Sequence, residues 1–420
     1  MSDKRKGLSR RAFLRAGVWT TVGLAAGCAV PEPTSTRPPT GTPTVMATQA
    51  AASPTNTPQP TATSAPTLAP TNTPQPTSTP EPTTAPTHTE TPEPAATATP
   101  TAQPTATPVP TATVIAPTPT PLVAVPARDD LIAHYPQTGG SVVSVVRHDG
   151  VWDGDRIQSQ VVLHMLDAAL VQLTGLGDAL TAWRVLFDPG EVIGIKVNTI
   201  SQYTTTPEVA YAVAQRLQDA GVPAEQIVIF DRSDGELRSR GYTINDDGPG
   251  VRCHGGRAWQ EPTTITGTTQ RFHDVMLSCH ALINIPALKE HGTSGFTSAL
   301  KNHYGTISNP GQMHGNNCDP YIADLNAVPV IRDKTRLVIG DLIRICPYNW
   351  NQMSKENAIS MSFDPVAHDT VARRILVDRR QADGRPGAYI EGKSHYLDAA
   401  VDLGLGAGAE HTELRERALG

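Results

Sequence analysis

Short apolar runs alternate with stretches of helical periodicity through the last two thirds of this chain. The runs at 141–146, 192–197, 227–230, 282–285, 336–340 and 358–362 have strand length. Ile157, Val161, Leu163 with Leu166, and Leu170 recur at helical spacing and predict a helix over 155–173. A second helical pattern covers 178–187. Thr206-Pro207-Glu208 opens another in the expected way, with a cap-forming hydroxyl, a proline at the first position and an acid in the first turn. That helix runs to Ala220 and stops at Gly221. Further helices are predicted over 294–304, 320–326, 365–377 and 395–403. The polar, Gly-rich interval 232–271 gives no clear pattern. Strands alternating with helices predict an α/β class: a largely parallel sheet flanked by helices, as one domain or two lobes, over 127–420.

The preceding third has no such pattern. Its composition is Pro, Thr, Ala and Ser, and it holds most of the chain's 38 prolines. The heptad Thr55-Asn56-Thr57-Pro58-Gln59-Pro60-Thr61 returns unchanged at Thr71. Such a tract has too little apolar surface to offset its ordering entropy, so 29–126 is expected to be a disordered linker. A fully extended linker of about 90 residues would reach on the order of 280 Å at ~3.1 Å per residue.

Residues 1–28 read as an address. Arg10 and Arg11 form a twin-arginine export signal after the basic Lys4-Arg5-Lys6, followed by a short apolar segment from Ala16 to Gly27. About a dozen residues are fewer than the ~20 needed to span a bilayer, so a signal peptide is expected. Leu24-Ala25-Ala26-Gly27-Cys28 resembles a lipobox, with Cys28 the diacylated residue and Ala25 standing where Leu is usual. The expected partners are the twin-arginine export machinery and, through the lipid anchor, the outer face of the cell membrane. Ordinary cleavage and free secretion are the alternative.

Cys253, Cys279, Cys318 and Cys346 contain no C-x-x-C pair, which argues against an iron–sulfur cluster or a structural zinc site. Two disulfides or four buried thiols both fit. A net charge of −6, with no basic patch beyond the N-terminus, gives no support to nucleic-acid binding.

In open α/β sheets ligands bind beyond the carboxyl ends of the strands. Polar residues gather there in this reading. Lys196 and Asn198 close one strand, Asp231 follows a second, Asp341 a third and Asp364 a fourth. After Ile285 come Lys289 and His291 in a Gly-flanked loop, and then the helix predicted from Ser294. Cationic side chains beside a helix N-terminus make an anion site. Lys289 and His291 are therefore the candidate catalytic residues, with Lys196, Asn198, Ser294, Lys301 and Asn302 as ligand-binding candidates. Asp231 and Asp341 are candidates for a divalent metal or for general bases; the cofactor itself stays unknown. Asp364, before Pro365, fits an N-cap better than a catalytic group. His303 falls near the core face of its helix. The loop 312–319, with His314 and Cys318, is rich in ligand-type side chains and either closes over the site or lies on the surface.

The stretch Ile285 to Asn302, with Pro286-Ala287-Leu288-Lys289-Glu290-His291-Gly292 and Ala299-Leu300-Lys301-Asn302, resembles the bacterial and archaeal domain of unknown function 362 family. Lys196-Val197-Asn198, Thr206-Pro207-Glu208-Val209, Asp364-Pro365-Val366-Ala367 with Asp369, and Gly404-Leu405-Gly406 fit the same pattern in order. His368 departs from it, standing where a small apolar residue is usual. Many members of that family carry a ferredoxin-like segment that this chain lacks, so the resemblance implies no redox role. The Lys-Val-Asn strand with the Thr-Pro-Glu helix also looks loosely like the first lobe of nickel-pincer lactate racemases, in layout only. Two functions are expected from the residues. One is an enzyme acting on a small anionic substrate. The other is a non-catalytic extracytoplasmic module that binds an anion or a metal.

Overall fold

The computed structural model describes residues 126–132, 140–348 and 352–420. The export signal, Cys28 and the linker lie outside the described residues. The central sheet runs, in order, through Thr412–Leu419, Ser141–His148, Gln352–Ser362, Thr335–Tyr348, Ala281–Asn284, Ile193–Lys196, Ile227–Phe230 and Arg252–His254. Gln352–Ser362 is antiparallel to both its neighbours. The other pairings along this path are parallel. The α/β reading with a mostly parallel, helix-flanked sheet therefore holds.

The three central parallel strands are buried at every residue, as strands covered on both faces must be. Alternation divides their side chains. Ile193, Ile195, Ile227, Ile229, Ala281 and Ile283 pack against Ser159–Thr174, Ala179–Leu186 and Pro207–Asp219 on one face. Phe230 and Leu282 pack on the other, with Pro365–Ala382, Tyr321–Ala327 and Tyr396–Asp402. Lys196 pairs in register with Phe230 and Asn284. Period two thus puts a lysine and an asparagine on the second face at the carboxyl edge.

The interval 232–271 carries a helix, Asp234–Ser239, the edge strand Arg252–His254, and most of a hairpin, Trp259–Ile265 with Thr268–His273. The largest correction concerns 287–304. Ala287–His291 is a strand, parallel to the distal half of Thr335–Tyr348, and it turns into Gly295–Thr297 as a hairpin. Only Ala299–Asn302 is α-helical. The predicted helix from Ser294 is therefore one turn that begins five residues later. Cys253, Cys279 and Cys318 are free thiols, and they and Cys346 are buried. Among the described residues, no single helix is long and apolar enough to cross a membrane.

Candidate functional site

A cavity of about 110 Å³ opens at the carboxyl edge of the parallel strands. Lys196, Asn198, Asp231, Lys289, His291, Lys301 and Asn302 all line it, so the structure brings most of the sequence candidates together. Ser294 and Asp341 are not among the lining residues. The Ser294 hydroxyl donates to the Phe296 carbonyl at 2.9 Å. The Asp341 carboxylate accepts from the backbone N–H and hydroxyl of Thr206, at 2.7 and 2.9 Å, and so fastens the start of Pro207–Asp219 to the sheet.

The anion site proposed at a helix N-terminus is absent in that form. The leading N–H groups of the short helix, at Ala299 and Leu300, donate to the two oxygens of Asp369 at 2.7 and 2.9 Å. A carboxylate of the chain itself already occupies the position. Asp231 is equally committed. It accepts from Lys196 Nζ and the Arg232 N–H on one oxygen, and from the Thr199 N–H and hydroxyl on the other, all within 2.9 Å. With both carboxylates filled by the chain's own donors, neither fits a divalent metal. Among the described residues no group of three or more His, Cys, Asp or Glu side chains could hold one.

The three lysines differ. Lys196 Nζ gives its protons to Val197 O at 2.5 Å, Asp231 Oδ1 at 2.7 Å and Asn302 Oδ1 at 3.3 Å. Lys289 Nζ is surrounded by Asn198 Oδ1, Ile200 O, Ser201 Oγ and Tyr203 O at 2.5–3.1 Å. All four acceptors are uncharged, and burial pulls the Lys289 amine down to about 7. An ammonium has three protons, so both of these lysines are saturated. Lys301 is 5% exposed and has no oxygen acceptor among the described residues. Its Nζ lies 3.3 Å from His314 Nε2, 3.6 Å from Cys318 Sγ and 3.9 Å from the centroid of the Tyr304 ring. Desolvation lowers its amine to about 8.

The histidines separate too. His291 Nδ1 accepts from the Thr293 and Ser294 N–H groups, each at 3.2 Å. Its neutral ring therefore carries the proton on Nε2. Burial, with Lys301 next in effect, pulls its pKa down to about 3. At neutral pH His291 therefore offers its Nε2 proton as a hydrogen-bond donor. His314 has the opposite arrangement. Its Nδ1 faces the Pro310 carbonyl at 2.9 Å, which leaves the Nε2 lone pair toward Lys301. Of the two readings of the loop 312–319, the one that brings it to the site is therefore met. His303 is fully buried, with Nε2 at 3.2 Å from Asn284 Nδ2, as the core reading expects. His368 is also buried, 2.9 Å from Ser360 Oγ and 3.2 Å from Asp369 Oδ1, and it lies neither in the cavity nor on the helix surface.

Sequence reasoning missed Arg232, Tyr304 and Thr297, which also line the cavity. The Arg232 guanidinium donates to Ser308 O at 3.1 Å and sits over the Trp259 ring. Among the described residues neither Arg232 nor Lys301 has a carboxylate within ion-pair distance. The available signal was the position of Arg232 directly after a strand-end aspartate.

The family model described as Domain of unknown function (DUF362) matches residues 193–374. The chain carries a DUF362 domain. The matched segment begins at the first central strand and takes in every residue that lines the cavity. No curated protein matches the chain. Two solved structures are similar in part. One is a protein from Thermotoga maritima, at 12% identity and a TM-score of 0.31, with 60% of each chain covered. The other is the lactate racemase apoprotein from Thermoanaerobacterium thermosaccharolyticum, at 13% identity and a TM-score of 0.33, with 51% of this chain and 55% of that one covered. The chain thus spans about 60% and 55% of those two proteins. At such scores the likeness decides nothing about the chemistry of the DUF362 cavity.

Proposed function

We propose that this chain is an exported, lipid-anchored enzyme that acts on a small anionic substrate in the DUF362 cavity. The observation that carries the reading is the pair Arg232 and Lys301: two cations line one small cavity, and among the described residues neither has a carboxylate within ion-pair distance. Buried or half-buried cations are normally paired, so a ligand anion is the natural complement. Arg232 would hold a carboxylate or phosphate with its planar fork. Lys301 would add a second charge. His314 Nε2 would take or return a proton beside it, a task suited to a neutral imidazole with an oriented lone pair. His291 would donate a hydrogen bond from Nε2. Lys196 and Lys289 hold the walls through their hydrogen bonds.

Calorimetric titration with lactate and inorganic phosphate tests the anion site. Wild-type protein should bind one of them. Arg232→Gln and Lys301→Gln should each weaken binding about tenfold, the loss of roughly one charge-assisted hydrogen bond. Affinity should also fall as pH rises through about 8, where Lys301 gives up its charge. Binding of neither anion would overturn the reading.

The locked Lys196 and Lys289 also suit a module that captures an anion without turnover. A ligand that co-purifies unaltered, with no product over time, would favour that alternative. Arg10-Arg11 and Cys28 support export and anchoring from the sequence alone. Mass spectrometry of the mature N-terminus decides both.

A further inference from the structure

The cavity presents an arrangement that anion binding alone does not require. Lys301 is buried, yet it is the lining lysine whose nitrogen is not fixed by oxygen acceptors. The neighbours of its Nζ are an imidazole lone pair, a thiol and the face of a phenol ring. Lys196 and Lys289, a few residues away across the same cavity, are each tied to three or more oxygens and cannot turn toward a ligand without breaking them.

We propose that Lys301 forms a covalent, protonated imine with a small 2-oxo carboxylate held in this cavity. The inference rests on the anion-site reading and names the substrate class for it. Three features of the cavity converge. First, an amine must be able to lose a proton before it can attack. His314 Nε2, 3.3 Å away and oriented by its Nδ1 contact to Pro310 O, is placed to take that proton. Second, the carbonyl carbon must come to the nitrogen, which means its carboxylate needs a fixed cation. Arg232 lines the same cavity without a carboxylate of its own. Third, the site must be dry enough to keep an imine from hydrolysis. Lys301 is 5% exposed, and the Tyr304 ring covers the nitrogen. Desolvation without a carboxylate is also how lysines are prepared for this chemistry, in keeping with an amine lowered to about 8.

The step balances without an oxidant or reductant. The Lys301 ammonium passes one proton to His314 Nε2. The neutral amine then attacks the carbonyl carbon; a C–N bond forms and the carbonyl π electrons move to oxygen. That oxygen takes the proton from His314 and a second from the nitrogen, and it leaves as water. The nitrogen keeps one proton and the positive charge in the C=N bond. The positive charge is conserved, and the cation so formed withdraws electrons from the carbon next to it.

The test uses the full chain with pyruvate as probe. The protein is incubated with pyruvate and sodium cyanoborohydride, which reduces an imine to a stable secondary amine, and then mapped by peptide mass spectrometry. The expected result is one carboxyethyl group at Lys301, about tenfold above any other lysine, because only this amine is both desolvated and unfixed. Its yield should rise between about pH 6 and about pH 9, as the amine loses its proton, and excess lactate should suppress it. Lys301→Arg, whose guanidinium forms no imine under these conditions, should lose the label. If that variant does not fold, the wild-type map decides alone. No adduct at Lys301, or label spread over exposed lysines without it, overturns the proposal. Lactate binding that depends on Lys301, with no pyruvate adduct, would sink the imine and leave the anion site standing. An adduct at Lys301 without measurable lactate or phosphate binding would do the reverse.

Discussion

Gly305 shows how tightly the residues around the buried ion pair constrain one another. Lys196 and Asp231 are almost wholly buried, 2.7 Å apart, and each is held by further hydrogen bonds. A Cβ added at Gly305 would lie 2.5 Å from Asp231 Oδ1 and 2.8 Å from Lys196 Nζ. These are chain ends, but they are locked by partners and cannot swing aside cheaply. Gly305→Ala should therefore destabilise the protein by about 2 kcal/mol, in the range for overpacking a filled site, and it should weaken anion binding as the pair shifts. A urea-unfolding midpoint equal to that of wild type would show that the pair has slack. Nothing at Gly305 could be read from sequence, because its role comes from two strand-end residues that are far from it in the chain. The strand-end residues themselves were legible. Lys196, Asn198 and Asp231 close short apolar runs, and that pattern alone predicts a shared crevice. What the pattern could not give was their hydrogen-bond partners. Those partners turn Asp231 from a metal candidate into the counter-ion of Lys196, and Lys289 from a catalytic candidate into a fixed cross-link.

At the scale of the element, the segment 287–302 explains why the helix prediction failed. Phe296, Ala299, Leu300, His303 and Tyr304 do recur at helical spacing. Gly295 nevertheless takes φ +78° within the hairpin, and an added Cβ there would meet the Ile390 carbonyl at 2.5 Å. Pairing of Lys289 with Thr297 and of His291 with Gly295 then wins over local periodicity. The hairpin matters for the site, because it delivers Lys289 to the loop 198–203. Lys289 binds the carbonyls of Ile200 and Tyr203 and the side chains of Asn198 and Ser201. It is the cross-link between a strand and a loop that would otherwise be held mainly at its ends. Lys289→Met keeps the apolar stem and removes that link. It should leave the loop carbonyls to water and raise amide hydrogen exchange across 199–204 by about tenfold or more, the local opening expected for losing roughly one or two net hydrogen bonds. Exchange in the central strands 193–196 and 227–230 should change little. Unaltered protection in the loop would mean that other contacts hold it, and the cross-linking role of Lys289 would fall with that result.

For the whole molecule, the buried bases set how stability follows pH. Lys289 and Lys301 release protons near 7 and 8 when folded, against 10.5 when free. His291 and His303 do so near 3, against 6.5, each because burial disfavours its charge. In both windows the unfolded chain holds more protons than the native one, so stability rises with pH. The histidines contribute between about 3 and 6.5, and the lysines from about 7 up to 10.5. Asp341 and Asp364 act the other way at acid pH, since burial raises both and the native state keeps their protons longer. Glu191, drawn down to about 2 by Arg336 and other donors against its own desolvation, favours the native state above its free value of 4.5. On the alkaline side Cys253 and Cys279, raised to about 12 and about 11 by burial, keep protons that an unfolded thiol loses near 9. Above pH 9 this opposes the lysine contribution, so the rise with pH levels off. These slopes place the maximum between about pH 9 and pH 10, above the usual range of roughly 5 to 8 for globular proteins. Urea-unfolding midpoints taken from pH 5 to pH 10 should show this maximum for the wild-type chain (range about one unit either side). Lys289→Met removes the larger of the two lysine contributions, so its midpoint should change less between about pH 7 and about pH 9 than that of wild type. A wild-type midpoint already falling across that interval would mean that Lys289 and Lys301 stay charged in the folded protein. The cavity would then hold fixed ammonium groups throughout, and the pH dependence of anion affinity proposed for Lys301 would disappear with them.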